Sequence, residues 1–114
     1  MVAQIFAPRL LDIVEASERL QELLRGLKLE EFEADWKLQW LVERGVEIIS
    51  EASRHLPDDF KANHPDIPWR NVAGIGNVLR HNYEHVSPPL LYTLIQTKLG
   101  ELEAACRAEL EKSP

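Results

Sequence analysis

The chain has 114 residues, of which 45% are hydrophobic and 28% are charged. That length suffices for one domain with a single core, and that composition excludes a disordered chain. The net charge of −6 at pH 7 argues against a protein that holds nucleic acid by general electrostatic attraction. We therefore expect residues 1–114 to form one globular domain.

The sequence carries no signal for export or membrane insertion. Its apolar start meets Arg9 and Asp12 too early for the core of a signal peptide. No apolar stretch approaches the roughly 20 residues that a membrane-spanning helix needs. Cys106 is the single cysteine, which excludes an internal disulfide and is typical of a reducing compartment. These features predict a cytoplasmic protein that does not contact a membrane.

Charge is unevenly distributed along the chain. Residues 60–87 hold three basic residues against two acidic ones, a net +1 before histidines are counted, which leaves −7 for the remainder. A locally basic segment of this size suits one or two phosphate groups but not a long polyanion.

Apolar periodicity predicts an all-α, up-and-down bundle of four main helices, and no segment alternates as a strand does. The first helix is predicted over residues 8–26, with its end at Gly26. Its core-facing stripe consists of Leu10, Ile13, Ser17, Leu20, Leu24 and Leu27.

Residues 30–56 form the longest periodic segment and are predicted to be one helix. At about 100° per residue, one face carries a set of mainly apolar residues. Phe32, Trp36 and Trp40 lie on the opposite face. These aromatic residues are either covered by another helix of the same chain, covered by a second protomer, or exposed. The first face holds Leu38, Leu41, Gly45, Ile48, Ile49, Ala52 and Leu56.

A loop is predicted over residues 57–66, and two further helices follow it. Pro68 suits a first helical turn, since its missing N–H would have no partner there, and this helix is predicted to reach Tyr83. The last helix begins at the pair Pro88–Pro89. Its inward residues are Leu91, Ile95, Leu99, Leu102, Cys106 and Leu110, so we interpret Cys106 as a packing residue.

Candidate chemistry lies near the end of the third helix. Histidine exchanges protons near neutral pH, and arginine offers a fixed fork of donors for phosphate. His81 and Arg80 therefore suit RNA cleavage without a metal ion, with His81 moving protons and Arg80 stabilising charge on phosphorus. The alternative interpretation is a solvated helix surface. His81 and His85 have metal-ligand spacing, but no third ligand is evident, so we expect no metal.

Three segments carry a resemblance to a known family. They read LLDIVEASERLQELLRGL, EEFEADWKLQWLVERGVEIISEAS and HPDIPWRNVAGIGNVLRHNYEHV. In this order they resemble the HepT-like family of the HEPN superfamily, from about Leu10 to Leu110. The most specific pieces are Glu31–Phe32, the Ile49–Ala52 segment and the block from residue 67 to 83.

The resemblance implies a HEPN-like helical homodimer that is encoded beside a minimal nucleotidyltransferase. The helical member of such a toxin–antitoxin pair is a ribonuclease that needs no metal or other cofactor. The nucleotidyltransferase is the antitoxin, and it attaches adenylate to a tyrosine. The family motif is an arginine, a gap of four to six residues, a histidine, one spacer and a tyrosine. His81 and Tyr83 match its last two positions.

The arginine of the motif is not matched. Gly76 stands where the shortest gap would place it, although Asn77 keeps the polar residue that commonly follows. Positions 76 and 80 are one turn apart, and helical side chains lean toward the N-terminus. We hypothesise that Arg80 extends back over Gly76 and replaces the missing arginine.

Two functions are therefore open. In the first, the chain is a toxin ribonuclease with His81 as acid–base group, Arg80 as phosphate anchor and Tyr83 as modification site. In the second, it is a non-catalytic binding subunit of the nucleotidyltransferase. Within one continuous helix Tyr83 would point about 200° away from His81. The two then share a site only if the backbone leaves the helix near residue 82 or if two protomers meet there.

Overall fold

A computed structural model of the chain describes residues 2–81 and 86–112, and of residues 2–4 it describes the backbone alone. Seven α-helices lie in this part of the chain, and no strand does. They are α1 (Val2–Leu24), α2 (Leu29–Glu33), α3 (Trp36–Ser53), α4 (Asp58–Ala62), α5 (Trp69–His81), α6 (Pro88–Thr97) and α7 (Leu99–Glu111).

The long helices form the predicted bundle. Helix α1 lies at its centre and packs on both α7 and α3, while α5 packs on the outer side of α3. Helix α1 begins at Val2 and not at residue 8 as predicted. Five residues of its predicted stripe are buried, namely Leu10, Ile13, Ser17, Leu20 and Leu24, whereas Leu27 follows the helix and is only partly buried. Gly26 follows this helix with a positive φ of 74°, a backbone conformation that glycine adopts without strain. None of the helices described is long and apolar enough to cross a membrane.

The prediction of one helix over residues 30–56 was wrong. The helical conformation is interrupted at Ala34–Asp35. The Asp35 side chain accepts a hydrogen bond from the Leu38 backbone N–H at 3.0 Å and so caps the start of α3. Gln39 donates from its side chain to the carbonyls of Phe32 and Glu33, each at 3.0 Å, which closes the end of α2. This break separates Phe32 from the two tryptophans.

The faces of α3 also differ from the prediction. Phe32 is fully buried and packs near the Tyr92 ring, so a helix of the same chain covers it. Leu41 and Ile48, predicted to face the core, are exposed, whereas Val42 and Val46 are buried. Ile49, Ala52 and Leu56 are buried as predicted.

Two shorter features complete the corrections. The predicted loop contains α4, whose Phe60 is buried against the rings of Phe6 and Trp69. The last predicted helix is interrupted at Lys98, which separates α6 from α7. The Ser87 side chain accepts the Leu90 N–H at 3.3 Å and caps α6 at the predicted proline pair.

Candidate functional site

Helix α5 is fastened to α3 by a polar cluster at its middle. The Ser50 hydroxyl donates to the Ala73 carbonyl at 2.8 Å and accepts the Gly76 N–H at 3.0 Å. Arg54 donates to the same Ala73 carbonyl from Nε at 3.1 Å and from Nη2 at 2.9 Å. Because these bonds reach backbone atoms of α5, they fix the height and rotation of the helix on α3.

Gly76 is buried at this contact. A Cβ atom at position 76 would lie 2.6 Å from Ser50 Oγ and 2.8 Å from Ser50 Cβ. Real Cβ atoms do not approach other heavy atoms so closely, so the two helices can keep this spacing only with glycine here. Ser50, and not Arg80, fills the space over Gly76. The hypothesis that Arg80 extends back over Gly76 therefore has no support in this geometry.

The last turn of α5 carries three exposed polar residues, Asn77, Arg80 and His81. Arg80 lines a shallow polar pocket of about 260 Å³ at the junction of α1, α3 and α5. Two more arginines, Arg9 of α1 and Arg44 of α3, line the same pocket. The structure thus brings together three arginines that are far apart in the sequence, whereas His81, which follows Arg80 in the chain, does not line this pocket.

Acidic side chains line this polar pocket as well. They are Asp12, Glu47 and Glu51, so the charges of the pocket balance. Arg44 is bound to Glu47 at 3.2 Å. The pKa of Glu51 is lowered, first by its hydrogen bond with His55 at 3.1 Å and further by the charges of His55, Arg54 and Arg80. Arg80 is therefore close enough to Glu51 for the two charges to interact, and an incoming phosphate would compete with this carboxylate.

Several predicted residues fall elsewhere. Tyr83 and His85 lie outside the described residues, as does Asn82. Within residues 2–81 and 86–112, no cluster of three or more His, Cys, Asp or Glu side chains could hold a metal ion. Cys106 is fully buried, and burial raises the pKa of its thiol to about 12. This agrees with its interpretation as a packing residue.

Sequence reasoning missed the residues that hold α5 on α3 and those that line the polar pocket with Arg80. Ser50 and Arg54 are one turn apart on α3, and a serine followed by an arginine at this spacing is too common to be recognised as a contact for another helix. Arg9 and Arg44 lie on different helices from Arg80, so their proximity follows only from the packing of α1, α3 and α5.

A second, larger concavity lies on the other side of α5. It is an apolar groove of about 630 Å³ between α5 and the α6–α7 pair. Arg70 lines this groove and not the polar pocket. The apolar groove is walled mainly by aliphatic side chains, among them Val72, Ile75, Val78, Leu90 and Leu94.

Comparison with known proteins identifies relatives across most of the chain. A family model described as "Ribonuclease HepT-like" matches residues 13–109. The chain is 40% identical over 92 residues to "Probable ribonuclease HepT" of Thermococcus cleftensis, which covers 81% of this chain and 84% of that protein. It is 33% identical over 105 residues to a "Putative RNase" of Caldanaerobacter subterraneus. The aligned residues cover 92% of this chain and 94% of that protein.

A "Putative RNase" of Methanocaldococcus jannaschii is 30% identical over 94 residues, which cover 82% of this chain and 86% of that protein. No solved structure matches the chain.

Proposed function

This chain belongs to the HepT-like ribonuclease family, and we propose that it cleaves RNA without a metal ion, using Arg80 and His81. One observation carries the proposal. Arg80 and His81 are consecutive residues, both exposed, on the last turn of α5, and the Ser50–Arg54 cluster holds that helix in place.

The proposed reaction is transfer of a phosphoryl group within the RNA strand. His81 takes the proton from a ribose 2′-hydroxyl, and the 2′-oxygen then bonds to the neighbouring phosphorus. The bond from phosphorus to the 5′-oxygen of the next nucleotide breaks, and that oxygen takes a proton from water, while His81 returns its own proton to the solvent. Arg80 donates to the non-bridging oxygens as negative charge builds on them. The products carry a 2′,3′-cyclic phosphate and a 5′-hydroxyl.

We propose a minimal nucleotidyltransferase as the antitoxin partner, on the basis of the family resemblance. It would attach adenylate to Tyr83, two residues after His81. An added phosphodiester would place negative charge near Arg80 and His81 and would repel an RNA phosphate.

The proposed functional form is a homodimer. The apolar groove between α5 and α6–α7 supports self-association, because a groove walled by aliphatic side chains is costly to leave in contact with water. Leu90, at its rim, is 46% exposed in the single chain.

A non-catalytic binding subunit of the nucleotidyltransferase is the second candidate. Gly76 favours it, because the arginine of the family motif is absent and the packing on Ser50 leaves no room for one. The balanced charge of the polar pocket also favours a non-catalytic subunit, since it weakens the attraction of the pocket for a phosphate.

RNA cleavage by the purified chain in EDTA tests the proposal. We expect fragments with 2′,3′-cyclic phosphate ends, and a loss of about 100-fold or more in rate for His81→Ala, since a general acid–base group contributes about 10²–10⁴. Arg80→Ala should lose activity too, whereas Arg70→Ala, an arginine on the same helix that lines the apolar groove, should not. A folded chain that cleaves none of many RNAs yet binds the nucleotidyltransferase would establish the second candidate.

A further inference from the structure

Two tryptophans stand exposed on the first two turns of α3. Trp36 is 57% exposed and Trp40 is 65% exposed, and their rings meet edge to face with centroids 4.9 Å apart. The Lys37 ammonium lies 5.7 Å from the centroid of the Trp36 ring. Two large apolar side chains that are exposed side by side are typical of a binding surface.

The tryptophan pair lies on the face of α3 that carries α5. Trp36 and Arg54 are about five turns apart, which returns them to the same side of the helix. Arg54 binds Ala73 of α5 on that side. The pair therefore extends, toward the N-terminus of α3, the surface on which α5 packs.

The direction of α5 brings its last turn toward the pair. Position 73 of α5 contacts Ser50 and Arg54, while position 76 contacts Ser50 and lies close to Glu47, so the two helices run antiparallel. The turn of Arg80 and His81 is thus directed toward the half of α3 that holds the tryptophans. Arg44 lies between the tryptophan pair and Arg80, because it lines the polar pocket of Arg80 and follows Trp40 by one turn.

We propose that Trp36 and Trp40 form a stacking platform for unpaired bases of single-stranded RNA. The inference rests on the proposed ribonuclease function and names its substrate class. A base stacked on an indole ring would fix the strand, while Lys37 and Arg44 take its phosphates and guide the chain to Arg80 and His81. Stacking on aromatic rings requires bases that are splayed out, so paired RNA would not be held in this way.

Position favours RNA over a protein as the occupant of this surface, because the pair lies on the half of α3 toward which the turn of Arg80 and His81 is directed. Lys37 adds a cation beside the Trp36 ring, whereas Arg44, between the pair and the polar pocket, is paired with Glu47. The cores of protein interfaces are depleted of charge. The same molecule offers an aliphatic groove that suits a protein contact far better.

The test measures binding of a short single-stranded 2′-O-methyl RNA, which lacks the nucleophile and cannot be cleaved, by fluorescence anisotropy. Trp36→Ala/Trp40→Ala should weaken binding at least about fivefold, the lower end of what loss of one base–aromatic stack costs. Trp36→Phe/Trp40→Phe should keep most of the affinity, and Trp36→Leu/Trp40→Leu should not. Leu23→Ala, a truncation of an exposed side chain on α1 that lines neither the polar pocket nor the apolar groove, should bind as the parent does, and circular dichroism checks folding.

Cleavage assays on the same proteins separate the two proposals. If the parent cleaves and binds, and the double alanine variant binds equally well, the platform is overturned while the ribonuclease stands. If the parent neither binds nor cleaves RNA, the ribonuclease fails and the platform with it. If the tryptophan variants change the sedimentation mass and leave RNA affinity intact, the surface is a protein contact and the inference is wrong.

Discussion

The Ser50 hydroxyl accepts the backbone N–H of Gly76 at 3.0 Å and occupies the space that any side chain at position 76 would need. The departure from the family motif is therefore built into the contact between α3 and α5. An arginine introduced at position 76 would meet Ser50 before it reached the polar pocket. Restoring the motif would require a change at position 50 as well.

Gly76→Ala should destabilise the protein by about 1–3 kcal/mol, the cost of overfilling a packed contact. Gly100→Ala provides the matched control, because a Cβ there comes no closer than 3.9 Å to another group and α7 should gain up to about 1 kcal/mol of helix propensity. Urea unfolding of both variants measures the difference. Equal stability of the two would mean that α5 does not pack on Ser50 as described.

Glu51→Gln should strengthen RNA binding by about two- to fivefold, because it removes a carboxylate that competes with phosphate for Arg80. The pKa of Glu51 lies below its ordinary value of 4.5, so in the parent this competition persists throughout the neutral range. Anisotropy titrations at two salt concentrations measure the gain, which should shrink as salt screens the charges. Glu101→Gln, on α7 and away from the polar pocket, is the control, and an equal gain there would refute a local role of Glu51.

Leu90→Asp should convert the proposed dimer to a monomer without unfolding it. Leu90 is exposed in the single chain, so an aspartate there costs the monomer little, but in a dimer that closes the apolar groove it would bury an unpaired charge. Sedimentation equilibrium measures the mass. Leu23→Asp, at a similarly exposed position on α1, should keep the mass of the parent, and a dimer that survives Leu90→Asp would place the interface elsewhere.

Stability should fall between about pH 9 and 12, partly through Cys106. Burial raises the pKa of this thiol from 9.0 to about 12, so in this window the folded chain keeps a proton that the unfolded chain releases. Unfolding is therefore increasingly favoured as pH rises, and the contribution is fully present below pH 9. Cys106→Ala should show a shallower decline in urea midpoints across this range. An identical decline in both proteins would show that the thiol is not shielded as described.

The sequence predicted the bundle well where a helix carries a single core-facing stripe of apolar residues, as α1 does. All of the apolar stripe in α1 that was assigned to the core is buried, and Gly26 ends the helix region as expected. The failure over residues 30–56 has a local cause, because the Asp35 cap and the Gln39 side chain stop α2 without any glycine or proline to mark the break. Leu41 and Ile48 lie after that break, within α3, whose buried face follows Val42, Val46 and Ile49 instead. Periodicity alone did not distinguish these two neighbouring apolar faces of one helix.

The site was predictable only in part. The residue types at Arg80 and His81 reveal their chemistry directly, since few other side chains offer it near neutral pH. The reason for Gly76 was hidden, because it depends on Ser50 from another helix. The carboxylates around Arg80 were hidden for the same reason, and they lower the expected affinity of the polar pocket for phosphate.

In the part of the chain that is described, α5 packs extensively on α3 and on no other helix to a comparable degree. Its backbone should therefore open in one cooperative unit at a lower free energy than α1, which is enclosed by α3, α6 and α7. Deuterium would then enter the amides of α5 before those of α1 under native conditions. If α5 detaches while the rest of the bundle stays folded, the activity of Arg80 and His81 would be lost and then regained without refolding of the whole protein.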